Sequence, residues 1–459
     1  MSDIIEVFDP GNGELIGSVA GASRDDVEHV LATASNAVDI ARNMPAHLRI
    51  SVLRQVAEQL LQRHEEFAEL IAKEGIKTIR EARKEVTRCV ETLRISAEEA
   101  RRLGGETIAF DQMPGSENRF GYFKRLPVGV VLAITPYNDP LNLVAHKIGP
   151  AIAAGNAVIL KPHSSTPLSA KKLVALFDAT DLPAGVLQLI TGAGAIIGDQ
   201  LVSDPRVRMV SFTGGPLVGL KILPLAGLKK ISMELGSNCP CIVMGDADME
   251  LAVESTVSGA FWAAGQNCLH VQRLFIQQDH FDDFSKRFVE RTKRLKVGEK
   301  LDETTDMGPM ISDAAASKVG EFVEDAVARG ARILTGGECE GRYFQPTVLD
   351  NVAADCRISK EEVFGPVVAL YPFSEISEAI DLANDVDYGL QAGVFTRDLG
   401  TAHTIADALH CGGVMINDSS DYRIDAMPFG GTRGSGLGKE GVAHAIIEMT
   451  EAKTYCFNL

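Results

Sequence analysis

Cys268 and Glu234 lie 34 positions apart, in the segments Gly265-Gln266-Asn267-Cys268 and Met233-Glu234-Leu235-Gly236, and together they could divide one reaction. A thiolate can attack an electrophilic aldehyde carbon to form a covalent intermediate, and a carboxylate can then activate the water that releases the product. A free thiol is only a few per cent ionised near neutrality, so a nucleophilic cysteine depends on its surroundings. Attack also turns the carbonyl oxygen into an oxyanion, which needs preorganised donors worth about 3 kcal/mol each. The side-chain amide of Asn138, in Thr135-Pro136-Tyr137-Asn138-Asp139-Pro140, is a donor of the right type. Each residue also has a plainer reading. Cysteine is commonly a buried small hydrophobe, and an asparagine near two prolines is commonly a turn residue. Glu234 closes an apolar strand pattern, where an ionised carboxylate is costly unless it is paired, hydrated or functional.

These segments, with Glu361-Glu362-Val363-Phe364-Gly365-Pro366, resemble the aldehyde dehydrogenase superfamily over nearly the whole chain. The resemblance implies that Cys268 is the nucleophile, that Asn138 and the Cys268 backbone N–H hold the oxyanion, and that Glu234 activates the hydrolytic water. Relatives that pass the acyl group to coenzyme A lack a glutamate at this position, so Glu234 favours hydrolysis to a free acid. Coenzyme A-dependent acylation is the nearer alternative, and a catalytically silent binding protein on the same fold is the more remote one.

The resemblance further implies a nicotinamide cofactor, NADP or NAD, although the dinucleotide fingerprint is absent. Gly192-Ala193-Gly194-Ala195-Ile196-Ile197-Gly198 has one residue too many between its later glycines. Phe212-Thr213-Gly214-Gly215 opens a helix pattern whose N-terminus can face phosphate oxygens, with Gly215 and Pro216 where many relatives carry Ser and Thr. Thr135 and Pro136 are expected on the cofactor as well. Lys161 matches the family lysine that meets the adenosine ribose, and His163 could add a donor. Ser164 stands where many NAD-preferring relatives carry a glutamate; a carboxylate would repel a 2′-phosphate and a serine would not. NADP is therefore tolerated or preferred. Glu362 and Phe364 match the pair that holds the nicotinamide ribose and packs near the ring, and Lys147 and Glu440 resemble members of the family's proton-relay or structural network.

For the substrate, the segments Asn138 to Lys147 and Tyr422 to Gly431 look like a branch that contains lactaldehyde, succinic semialdehyde and phosphonoacetaldehyde dehydrogenases. Small polar or anionic aldehydes are the shared theme. A guanidinium can clamp a carboxylate or phosphonate through two parallel hydrogen bonds, which makes Arg423 and Arg273 the expected substrate contacts. Arg273, five residues past Cys268 at a strand start, reads alternatively as a surface ion pair.

The elements that must position these residues fall into two patterns. Up to about residue 103 the chain reads as helical. Ser23 and Asp26 form a capping-box pattern ahead of Val27, Val30, Leu31, Ala34 and Ala37, a long stripe follows from Ala46, and a charged helix runs from Glu81 to Leu103. Nothing in this region carries evident chemistry. From Gly129 short apolar strands alternate with helices: 130–134, 157–160, 186–190 and 209–212, then 241–244, 274–277, 367–370 and 414–417. This predicts an α/β protein of the aldehyde dehydrogenase fold. Residues 1–117 and 128–236 would form a Rossmann-like cofactor domain, 237–445 a catalytic domain, and 118–127 with 446–459 an oligomerisation element that pairs a homodimer or homotetramer.

Composition excludes several other classes. At 459 residues the chain exceeds one ordinary core, and 45% apolar with 23% charged residues is a globular balance. A net charge of −17 without a basic stripe argues against nucleic acid. The start, Met1-Ser2-Asp3-Ile4-Ile5-Glu6, has no basic region followed by an apolar one, and no apolar run approaches a membrane span, so a cytoplasmic location is expected. Eight cysteines without a secretion signal read as reduced thiols. Cys239-Pro240-Cys241 is too tight for a zinc pair, and no metal is expected.

Overall fold

The computed structural model describes residues 4–459. A six-stranded sheet runs in the order Gly436–Leu437, Lys230–Glu234, Val207–Thr213, Val130–Ile134, Ala157–Lys161, Leu187–Leu189. All neighbours are parallel except the first pair, where a short strand from far along the chain joins antiparallel. The strands read as unbroken apolar runs because both faces are covered. Val131 and Ala133 pack into a cluster with the helices Ala46–Gln62, Ile79–Glu99 and Asn142–Ala154. Val130 and Leu132 point to the opposite cluster, with the helices Arg24–Asn36, Gly194–Ser203 and Pro216–Ala226.

A second, seven-stranded sheet has the order Arg332–Thr335, Thr347–Asp350, Val367–Phe373, Val271–Gln277, Cys239–Val243, Gln391–Phe395, Gly413–Ile416. Only its first pair is antiparallel. The eight apolar runs expected as strands all lie at strands, within three residues of the observed ends. Gln391–Phe395 was not expected, because Ala392 and Gly393 interrupt its apolar, β-branched character, yet all five residues are buried.

The helical N-terminal region is preceded by a hairpin, Ile4–Phe8 with Leu15–Ala20, that helical periodicity did not suggest. The Ser23/Asp26 capping box is present. The long stripe from Ala46 is two helices, Ala46–Gln62 and His64–Glu74, broken at Arg63 (φ −108°, ψ 24°). A third, antiparallel sheet pairs Arg119–Pro127 with Thr450–Asn458 along their whole length, where Tyr122 and Tyr455 stack at 5.1 Å and Phe120 and Phe457 stay exposed. Among the described residues no helix is long and apolar enough to cross a membrane.

The carboxyl ends of the first sheet's strands carry Lys161, Thr213 and Glu234, with Asn138 in the loop just beyond Ile134. Such ends are where open α/β sheets bind ligands. The second sheet meets this edge with the amino ends of its strands: Cys268 precedes Val271–Gln277, and the Cys239 thiol at the start of the adjacent strand donates to the Cys268 carbonyl at 3.5 Å.

Candidate active site

Cys268 follows a turn of three consecutive left-handed residues, Ala263 (φ 51°), Ala264 (φ 53°) and Gly265 (φ 65°). That conformation costs an L-residue about 1–2 kcal/mol, so the turn must be held from outside. The buried carboxylate of Glu81 accepts from Ala263 N at 2.8 Å. The Gln266 side chain donates to Pro309 O (3.1 Å) and accepts from Ile311 N (3.0 Å) and the Tyr137 hydroxyl (3.3 Å). Gly265 is required by space as well as by φ, since a Cβ there would overlap the Gly365 carbonyl. Burial pushes the Cys268 thiol well up, Arg423 pulls it down, and Cys239, Glu234 and Glu362 add to the rise. Arg423 is thus the charge that favours the thiolate. The Cys268 N–H has no acceptor among the described residues.

Glu234 ends its strand 2% exposed, and neither carboxylate oxygen has a hydrogen-bond partner. Burial and the neighbouring Glu440 raise this carboxyl well above its ordinary range, against Arg423, Lys147 and Lys439. A buried carboxyl without partners is costly, and both oxygens are free to take a water. Gly430 admits it, because a Cβ there would stand 2.6 Å from Glu234 Oε1.

Asn138 makes no side-chain hydrogen bond with any described residue, while its neighbours are tied down. Asp139 pairs with Lys77 and Arg88, and Glu85 Oε1 accepts from Leu141 N (2.8 Å) and Asn142 N (3.0 Å). The result is a fixed main chain that presents an uncommitted amide.

The expected relay pair is in contact. Lys147 Nζ lies 2.9 Å from Glu440 Oε1, with both side chains buried. Glu440 also receives the Thr213 hydroxyl (3.2 Å) and Arg423 Nη2 (3.4 Å). Burial alone would raise the Glu440 carboxyl, but Lys147 and Arg423 more than offset that and hold it at about 2. The Thr213 hydroxyl, expected on the cofactor, is therefore committed to Glu440.

The two arginines separate. The guanidinium of Arg423 lies 3.6 Å over the Phe429 ring, and Phe429 belongs to the apolar cluster against which Cys268 packs. Its Nε is buried without a partner. Arg273 is corrected: it is 2% exposed and turns its fork to Asn238 Oδ1, Asn238 O, Leu382 O and Ala383 O at 2.7–3.0 Å. Four such bonds make it a tie between main-chain segments, neither a substrate clamp nor a surface ion pair.

The remaining expected residues form a second wall. The buried Lys161 ammonium touches only Pro162 O, at 3.4 Å, and burial lowers it to about 8. Burial and Lys161 hold His163 neutral, at about 4; its Nδ1 accepts from Ser165 N at 3.1 Å, which leaves the proton on Nε2. The Ser164 hydroxyl donates to Gly192 O at 3.1 Å. The Thr135 hydroxyl is buried without a partner, and Pro136 follows it. Gly214 N donates to Glu234 O (3.0 Å), and Gly215 opens the helix Pro216–Ala226 with no side-chain cap. Glu362 accepts from Ser237 N at 2.8 Å and is raised to about 7 by burial. Phe364, itself left-handed (φ 53°), stands edge-on to Tyr137 at 6.0 Å, and Tyr137 stands edge-on to His163 at 5.3 Å. An unpaired buried ammonium, an orphaned hydroxyl and an uncapped helix N-terminus fit a phosphate-bearing dinucleotide.

Sequence reading missed Glu81, Glu85, Lys77, Tyr137 and Gln266. The Thr78-x-x-Glu81 capping box was a visible signal for one of them, but not for the second contact that its carboxylate makes. No group of three or more His, Cys, Asp or Glu side chains could hold a metal among the described residues.

The model of the Aldehyde dehydrogenase family matches residues 1–455. The chain is 50% identical over 455 residues to aspartate-semialdehyde dehydrogenase 1 of Pseudomonas canavaninivorans, covering 99% of this chain and 97% of the relative. It is 46% identical over 455 residues to 3-sulfolactaldehyde dehydrogenase of Priestia aryabhattai, at 99% and 95% coverage. Among solved structures, the glyceraldehyde-3-phosphate dehydrogenase of Methanocaldococcus jannaschii complexed with NADP superposes with a TM-score of 0.96 at 39% identity, covering all of both chains.

Proposed function

The chain belongs to the aldehyde dehydrogenase family, and on that footing we propose that it oxidises a small anionic aldehyde to the carboxylic acid by hydrolysis of a Cys268 thioester, with NADP or NAD as oxidant. The observation that carries the hydrolytic branch is Glu234, buried near the nucleophile with both oxygens unpartnered. Lys161, His163, Thr135, Pro136, Gly214, Gly215, Glu362 and Phe364 would hold the cofactor, which when bound supplies the acceptor for the hydride. NADP is favoured because no carboxylate pairs with Lys161, and the similar solved structure carries NADP.

Cys268 Sγ forms a bond to the aldehyde carbon, while Arg423 favours the thiolate. Asn138 Nδ2 and the Cys268 N–H donate to the oxygen as it becomes an oxyanion. After oxidation to the thioester, Glu234 takes a proton from water, the hydroxide adds to the carbonyl carbon, and the C–S bond breaks to return the thiolate. Lys147 and Glu440 act on the charge of Glu234 in opposite directions, Glu440 adding to the burial that opposes its ionisation and Lys147 favouring it. Arg423 is the substrate contact, its guanidinium placed between Phe429 and Glu440 to meet an acidic tail. The names of the similar enzymes support this, since those aldehydes bear a carboxylate, a sulfonate or a phosphate. The outer strands Arg119–Pro127 and Thr450–Asn458 would pair subunits, which sedimentation velocity tests directly, a monomer ruling it out.

Reduced-cofactor formation with NADP and NAD, across aspartate semialdehyde, 3-sulfolactaldehyde, succinic semialdehyde, lactaldehyde and a neutral aliphatic aldehyde, is the primary test. Activity should vanish in Cys268→Ala and require no coenzyme A. Arg423→Met should lower kcat on every aldehyde through the lost support for the Cys268 thiolate and, for the anionic aldehydes alone, also raise KM by about 10- to 100-fold, from a lost charge-assisted contact of roughly 1.5–3 kcal/mol. Equal losses on both would remove the clamp, and dependence on coenzyme A would remove the hydrolytic route.

A further inference from the structure

The helix Ile79–Glu99 carries two buried carboxylates one turn apart, Glu81 and Glu85, 3% and 2% exposed. Each reaches the main chain of a different catalytic segment. Glu81 Oε2 accepts from its own cap, Thr78 N, at 2.8 Å, and Oε1 accepts from Ala263 N, also at 2.8 Å. Ala263 is the first left-handed residue of the turn that leads to Cys268. Glu85 Oε1 accepts from Leu141 N and Asn142 N, closing the segment that begins at Asn138, while its Oε2 accepts from Lys77 Nζ at 2.8 Å. Lys77 in turn pairs with Asp139, the residue after Asn138.

Residues four apart share a helix face, so both carboxylates project from one rigid surface. Loops do not define their mutual spacing to the fraction of an ångström that oxyanion stabilisation requires. Strained turns persist only where the surroundings over-determine them, and here the determinant is a helix far away in sequence. We propose that Glu81 and Glu85 are positioning residues whose shared helix sets the separation of the two oxyanion donors, the Asn138 amide and the Cys268 N–H. The proposal rests on the roles given above to Asn138 and Cys268.

Glu81→Asp and Glu85→Asp keep the charge but withdraw each carboxylate by one methylene. They are compared singly and in the Asn138→Ala background, with Glu91→Asp, at the exposed side of the same helix, as control. The measurements are kcat and KM for the aldehyde, NADPH affinity by fluorescence, the iodoacetamide alkylation rate of Cys268, and Tm. Glu85→Asp should lower kcat on the order of 10- to 100-fold with NADPH affinity and alkylation unchanged, and should lose nearly all of that effect once Asn138 is alanine. Glu81→Asp should lower kcat comparably and keep its effect in that background, because it acts through Cys268. If shortening Glu85 prevents folding, Glu85→Gln, which keeps an acceptor oxygen at full reach, should retain most of kcat. A Glu85→Asp defect of the same size with and without Asn138, or loss of kcat in step with NADPH affinity, would overturn the proposal while leaving the oxyanion reading intact. An Asn138→Ala enzyme with unchanged kcat would overturn both.

Discussion

Glu234 has no hydrogen-bond partner, and its ionisation is opposed first by burial and then by Glu440. Its base form therefore grows over a pH range above that of an ordinary carboxylate, so a step that uses it as base should accelerate as pH rises through that range. Glu234→Gln should leave acylation intact and stall the thioester. Rapid mixing should then show a burst of reduced cofactor near one equivalent per subunit, followed by turnover slowed about 10²- to 10⁴-fold. The rising pH limb should disappear in the variant. A variant without a burst, slowed already in its first turnover, would place Glu234 in acylation.

At the scale of the element, the turn before Cys268 decides most. Three left-handed residues in succession are held by Glu81 on one side and Gln266 on the other. Gly265 tolerates its φ of 65° and the close approach of the Gly365 carbonyl. Gly265→Ala adds a Cβ that meets that carbonyl in a conformation L-residues avoid, so the turn should open. The expected cost is about 2–4 kcal/mol of unfolding free energy, read by urea denaturation, together with loss of aldehyde oxidation. Retained stability and activity would show that the loop at Gly365 yields instead. Which arginine keeps a guanidinium free of main-chain carbonyls is also an element-scale outcome. Arg423 lies on a loop facing Phe429 and Glu440, whereas Arg273 lies on a central strand between neighbours that leave it only carbonyls to bind.

Over the whole molecule, the carboxyl ends of the first sheet's strands meet the amino ends of the second sheet's strands, and the junction is charged. Lys147 from the first sheet's flanking helix, Arg423 and Glu440 from distant loops, and Glu234 from a strand end converge there. Glu440 is held at about 2 against an ordinary 4.5, since Lys147 and Arg423 outweigh the burial penalty. A carboxyl depressed in the folded state contributes stability above its unfolded pKa and loses it as pH falls through the folded value. Glu440→Gln should accordingly lower stability most at pH 5 and above, by about 3–5 kcal/mol because Lys147 loses its buried partner. The gap from wild type should narrow as pH drops from 4.5 towards 2. A gap independent of pH, in melting curves of both proteins, would mean that packing rather than charge sets the effect.

The chemistry and the strands were legible along the chain because each is written locally. A thiol, a carboxylate and an amide sit in contiguous motifs, and parallel strands buried on both faces read as short apolar runs such as 130–134 and 157–160. The Ser23 capping box is likewise set by residues three apart. What sequence alone left undecided are pairings across long separations. Glu81 meets Ala263 across 182 residues, and Arg273 finds the Leu382 carbonyl across 109. No local periodicity encodes which buried carboxylate will reach which loop, or whether an arginine's fork faces a cleft or a row of carbonyls. Those contacts exist only once the two sheets and the N-terminal helices have packed, since only packing brings such groups within hydrogen-bond range and out of water.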